Sequence, residues 1–127
     1  MRKFLTFLGR VLYGAIFMAA APGHFQAPTI AAAAAHGVPM ASFAVPLSGV
    51  IAFLGGLSIT LGLKAKWGAW LIVLFLVPVT AVMHRFWGLA DPQAAILQQI
   101  MFMKNLSMLG AALLITQVGS GPASPKA

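Results

Sequence analysis

The chain has 127 residues, 61% of them hydrophobic and only 7% charged, with a mean hydropathy of +0.95; so little charge excludes an ordinary soluble domain and specifies an integral membrane protein. Eight lysines and arginines against a single acid give +7, yet these bases punctuate the ends of apolar runs instead of clustering with aromatics, which fits the positive-inside distribution and argues against a nucleic-acid partner. The lack of cysteine removes disulfides, thiol redox chemistry, Cys-ligated zinc or iron–sulfur centres and covalent c-type haem.

Four apolar runs follow in chain order. The first, FLTFLGRVLYGAIFMAAA (4–21), begins behind a basic MRK, and Arg10 interrupts it, so it is expected to be a retained span and not a cleaved leader. The stretch from Pro22 to Ser42 contains APTIAAAAAHGVP, whose alanines favour helix and whose Pro28 and Gly37–Pro39 bound it. A short helix in or near the outer interface is expected there.

The second run, AVPLSGVIAFLGGLSITLGL (44–63), carries Ser48, Ala52 and Gly56 at intervals of four, with Gly49 and Gly55 beside them. Small residues at that spacing let membrane helices approach closely. A short KAK turn leads to the third run (67–87), so these two helices are antiparallel neighbours. Pro78 should bend the third. Asp91 and Pro92 form a cap and first-turn pair for the fourth (92–117), where Ser107 and Ala111, with Gly110, repeat the small-residue spacing. Each run is long enough for a hydrocarbon core, which takes about 20 helical residues.

The predicted class is therefore all-α: an antiparallel four-helix bundle over residues 1–118, with 119–127 a flexible cytoplasmic tail. With the N-terminus inside, Arg2, Lys3, Arg10, Lys64, Lys66 and Lys126 lie on the inner face, and only Arg85 and Lys104 lie toward the outside. That asymmetry places both termini in the cytoplasm. Trp67 and Trp70 then mark the inner interface and Trp87 the outer one.

Placed by depth, the polar residues form a layer. His24, His84, Arg85, Gln98, Gln99, Lys104 and Asn105 fall in the outer half, and Arg10 and Tyr13 in the inner half. Lys104 precedes Thr116 by 12 residues, or roughly 18 Å of helix, a costly depth for a charge. Asp91, the one carboxylate side chain, lies roughly 20 Å away along the same helix. Neutral acceptors such as loop carbonyls, Gln98 or Gln99 are thus expected to hold the amine. The plainest role for such a layer is interfacial anchoring and hydrogen bonding between helices, and beside Trp87 that reading suits Arg85. Arg10 reads as a charge snorkelling to the inner side.

A ligand is the sharper reading. Bis-histidine haem on His24 and His84, or copper on Met83, His84, Met101 and Met103, has no further support in the sequence, so no metal and no intrinsic cofactor is expected. A quinone-like ring needs a donor for each carbonyl and an apolar slot for its tail; polar residues of the outer layer would supply the donors, and the candidate ligand-binding residues are His24, His84, Arg85, Gln98, Lys104 and Asn105. No chain of carboxylates exists for a proton pump.

The segments LGRVLYGAIFMAAAPGHF, GVP, FLGGLSITLGLKAKWGAWL, HRFW and MKNLSMLGAALLI resemble, in order and spacing, the DoxX family of small four-helix bacterial membrane proteins. The resemblance implies an inner-membrane protein linked to redox assemblies, the family's name deriving from a subunit associated with a thiosulfate:quinone oxidoreductase. Many members carry an acid just before the glycine pair, where this chain has Ala52. Residues and resemblance together lead to an accessory or structural subunit of a larger membrane redox complex, surrounded by lipid, with a quinone or lipid pocket at the outer end. The alternatives are a quinone-reactive oxidoreductase component in its own right and an assembly factor.

Overall fold

The computed structural model describes residues 1–122 and is all-α. Helix α1 (Arg2–Ala20) runs into a 3-10 turn (Ala21–Phe25). Helix α2 (Ala27–Ala35) is short. Helices α3 (Ala41–Leu61), α4 (Ala65–Met83) and α5 (Pro92–Val118), together with α1 and its 3-10 extension, are the four elements long and apolar enough to cross a membrane.

Their ends have local causes. Helix α3 stops at Gly62, in the left-handed region (φ 73°), and the Gly62 and Leu63 amides donate back to Ile59 and Ser58 carbonyls. That is a glycine C-cap of the kind that reverses a chain. The Ser58 hydroxyl completes the turn by donating to the Leu63 carbonyl at 2.6 Å. At α5, the Asp91 carboxylate accepts the Gln93 amide at 3.1 Å and Pro92 occupies the first turn. Helix α4 ends at Met83, four residues short of the sequence expectation. The apolar run gives out at His84-Arg85, and His84 leaves the helical region (φ −116°, ψ 29°).

Helix α1 packs on α3, α3 on α4, and α4 on α5; α2 and the 3-10 turn rest on α3. Glycines set the distances. A Cβ on Gly56 would stand 2.6 Å from the Gly14 carbonyl oxygen, and one on Gly55 would stand 2.9 Å from that of Gly68. Being consecutive, the two glycines point about 100° apart, so one admits α1 and the other α4. Between these contacts lie Ala52, Ile59, Ala69 and Ile72, all fully buried, with Phe17 and Phe75 in edge-to-face contact.

Long side chains join α1 to α5. The Tyr13 hydroxyl donates to the Met108 carbonyl at 2.5 Å, and an Arg10 terminal nitrogen donates to the Ser120 carbonyl at 3.0 Å. Arg10 is 7% exposed, so it does not snorkel to the surface. Its guanidinium lies where a Cβ on Gly62 would be 3.0 Å away, which lodges it between the α3–α4 turn and the end of α5. A cation there suits the negative end of α5. Gly119 and Ser120, expected to begin a flexible tail, are buried by this contact. The rest of that tail, with Lys126, lies partly outside the described residues, which end before 123.

The small face read from α5 packs only in part. Ser107 is exposed and Gly110 has nothing within 4 Å, Ala111 is half-buried, and Asn105, Ala112 and Thr116 are the buried positions. Helix phase explains the difference, because α5 meets only α4 and the side chains of α1 and leaves its opposite face uncovered.

Gly56→Ala should therefore destabilise the protein by about 1–3 kcal/mol, the usual cost of overpacking, whereas Gly110→Ala should leave it unchanged or slightly stabilised. Thermal unfolding of both variants in one detergent reads the contrast; equal midpoints would mean that α1 and α3 are not in backbone contact.

Candidate functional site

At the end of the molecule that carries α2, the spans separate around a cleft of about 600 Å³. Every helix contributes to it. Phe17, Val45, Phe75, Leu76, Val79 and Met108 give most of the wall an apolar character, and exposed Ile16, Ala20 and Pro78 show that the cleft reaches the surface. All three histidines of the chain line it.

Each imidazole is oriented by a different device. His24 is the penultimate residue of the 3-10 turn, its Nδ1 3.0 Å from the Ala20 carbonyl and its ring edge-on to Phe75 at 5.5 Å. Gly49 makes room for it, since a Cβ there would stand 2.7 Å from the His24 Cβ. His36 follows α2, with Nδ1 2.8 Å from the Ala32 carbonyl, and sits exposed at the rim. His84, the first residue beyond α4, has Nδ1 2.9 Å from Gln98 Oε1 and is half-buried. A carbonyl oxygen only accepts, so Nδ1 of His24 and His36 carries the proton, and so does that of His84 where Gln98 presents its oxygen. In the neutral rings Nε2 is then an acceptor.

Asn105 adds the complementary function. It is 7% exposed, lines the cleft, and its amide makes no hydrogen bond among the described residues. A buried residue of this kind normally has its polar group satisfied, which makes the unbonded Asn105 amide a candidate binding group. Ser48 also lines the cleft, but its hydroxyl donates to the Val45 carbonyl at 2.6 Å. Among the described residues no three metal-ligating side chains stand close enough to share an ion.

The residues named from sequence thus divide. His24, His84 and Asn105 line the cleft, and Gln98 stands behind His84 as its hydrogen-bond partner. Arg85 is exposed, next to a cluster in which Phe86, Trp87 and Phe102 meet edge to face at 5.3–5.8 Å. Lys104 lies elsewhere. It is exposed, lines a shallow groove with Gln99, Ile100, Met103 and Ser107, and has no hydrogen bond among the described residues. The expected acceptor Gln98 is engaged by His84 instead. Adjacent helical residues diverge by about 100°, so burying Asn105 turns Lys104 outward. His36 was missed, although its place after five alanines and before Gly37 is a helix C-terminus signal.

Compared with known families, residues 5–85 match the model described as DoxX. The matched stretch holds all three histidines and stops before Gln98, Lys104 and Asn105. No curated protein and no solved structure matches the chain.

Nitrogen-15 spectra of histidine-labelled protein should show the neutral rings of His24 and His36 with protonated Nδ1 and bare Nε2. Gln98→Leu should alter the His84 signals alone; a matching change in His24 would mean that the rings are not fixed independently.

Proposed function

The chain belongs to the DoxX family of membrane proteins, and on that footing we propose that it is an accessory subunit of a bacterial inner-membrane redox complex, holding a quinone-type ring in the cleft. The observation that carries this reading is the convergence of three oriented imidazoles and one unbonded, buried amide on a mostly apolar wall that also carries the Thr29 and Ser48 hydroxyls. Pockets for lipid-soluble rings have this composition, apolar over most of their surface with a few polar groups that fix orientation. The spans form an antiparallel four-helix bundle, and α2 lies in the outer interface. Both termini are cytoplasmic, a direction supported by the bases at 2, 3, 10, 64, 66 and 126.

The accessory role draws on the free face of α5. Lys104, Ser107 and Gly110 point away from the other spans, and a lysine at that depth needs a covering partner or a route to the headgroups. The partner subunit sits on this face, so the cleft and the docking surface occupy opposite sides of one helix. Purification in mild detergent tests the reading: a quinone should be extracted with the protein, and larger subunits should accompany it. A protein that emerges alone and carries only phospholipid would overturn it.

Single cysteines placed near Arg2 and at Leu89 should react with membrane-impermeant reagents from opposite sides, Leu89 from the periplasm. Labelling of both from one side would invalidate the topology. Lys104→Met should fold and retain the cleft ligand while losing the co-purifying subunits; retention of the full complex would remove this lysine from the docking surface.

A further inference from the structure

The hydrogen-bonding polarity of the cleft specifies more than an aromatic ring. Resting on the quinone-cleft reading, we propose that the site selects its ligand in the hydroxyl-bearing form, a hydroquinone or phenol, over the carbonyl-only form of the same ring. The reasoning begins at His24. Its Nδ1 lies 3.0 Å from the Ala20 carbonyl, an obligate acceptor, so the proton resides on Nδ1 and, in the neutral ring, Nε2 offers a lone pair. His36 is fixed in the same way by the Ala32 carbonyl, and His84 by Gln98 Oε1. Ser48 directs its own hydrogen at the Val45 carbonyl, leaving only its oxygen lone pairs for a ligand.

Acceptors therefore outnumber donors: the half-buried Thr29 hydroxyl, which can donate or accept, stands on the α2 wall, and the Asn105 amide is the fully buried residue with an uncommitted donor. A quinone brings two acceptors. One carbonyl is met by Asn105, and the other faces neutral imidazole nitrogens that have nothing to donate. A hydroquinone brings the opposite inventory: each hydroxyl donates one hydrogen and accepts through its oxygen. One hydroxyl donates to His24 Nε2 while the other accepts from Asn105, with the ring against Phe75, whose own ring centre is 5.5 Å from that of His24. The His24 side chain has this orientation because Gly49 lies beneath its Cβ and the Ala20 carbonyl fixes its ring. Selection by unmatched polar groups is effective because a buried group without its partner loses water and gains nothing.

The test uses a para-alkylphenol and its methyl ether, which share the ring and the tail and differ in the single donor hydrogen. Both are titrated calorimetrically into the full-length protein in detergent at pH 8, against micelles alone. The phenol should bind roughly tenfold tighter, the value of one hydrogen bond in a desolvated site. A hydroquinone and its quinone with equal tails should show the same order. His24→Phe keeps a ring beside Phe75 and removes the acceptor; phenol affinity should fall to that of the ether, and ether affinity should not change. Asn105→Leu should weaken the hydroquinone, whose second hydroxyl accepts from that amide, more than the phenol, whose single hydroxyl is engaged at His24. Equal binding of phenol and ether by the wild-type protein would refute donor selection while leaving the cleft a ring-binding site. Binding of neither would defeat the cleft reading and this inference with it. A phenol preference that persists in a folded His24→Phe variant would remove His24 as the acceptor. If that variant does not fold, the wild-type comparison decides alone.

Discussion

Backbone contact at two consecutive glycines is the constraint on which the rest of the structure depends. Gly56 meets the Gly14 carbonyl and Gly55 meets the Gly68 carbonyl, so α3 touches α1 on one side and α4 on the other without intervening side chains. In lipid no strong hydrophobic drive presses helices together, and such close approach, with the dispersion it allows, takes its place. With α3 fixed against two neighbours, the buried residues near it are small or branched, and Ala52 and Ala69 are wholly enclosed. The larger rings of Tyr13, Phe17 and Phe75 then stack along one line of contact instead of filling a broad core.

The two ends of the molecule are finished in opposite ways. At the α3–α4 turn the chain is closed tightly: Ser58 closes the loop, Gly62 admits the Arg10 guanidinium, and Arg10 holds the Ser120 carbonyl. At the α2 end the helices part, α4 stops early, and Pro78 and the His84 turn leave a cleft instead of a packed layer. A rigid base with an open top is the arrangement in which ligand-binding groups are held without the cleft collapsing. The histidines illustrate it, each anchored through Nδ1 to its own helix or to a neighbouring glutamine.

Much of this was legible in the sequence, and the losses have physical causes. Length and hydropathy mark the four spans because lipid demands both. The Ser48-Ala52-Gly56 spacing points to a buried face, of which Ala52 and Gly56 are enclosed and Ser48 half-buried. Depth along a span was also readable, which is how His24, His84 and Asn105 come together as candidates. Azimuth was not. Depth arithmetic gives height in the membrane but no direction around the helix, so Lys104 was grouped with Asn105, and Ser107 and Gly110 were taken for an internal packing face. Arg10 shows the same limit: nothing in its neighbourhood along the chain reveals that Gly62 and Ser120, distant in sequence, enclose it.

Azimuth on α5 also explains how one helix serves two purposes. Between Gln98 and Ala112 its inward residues support the cleft or the core: Gln98 orients His84, Asn105 offers its amide, and Ala112 is wholly enclosed. Its outward residues, among them Lys104, Ser107 and Gly110, meet nothing in this chain. A partner seated on that outward face, as proposed, would press on a helix whose other side carries the ligand's donor. Helix α5 packs mainly on α4 and reaches α1 through the Tyr13 and Arg10 side chains. A small rotation would move Asn105 relative to His24, which is fixed on the opposite wall by Gly49 and Ala20. On the proposed reading, partner contact and ligand geometry would be linked through this one helix.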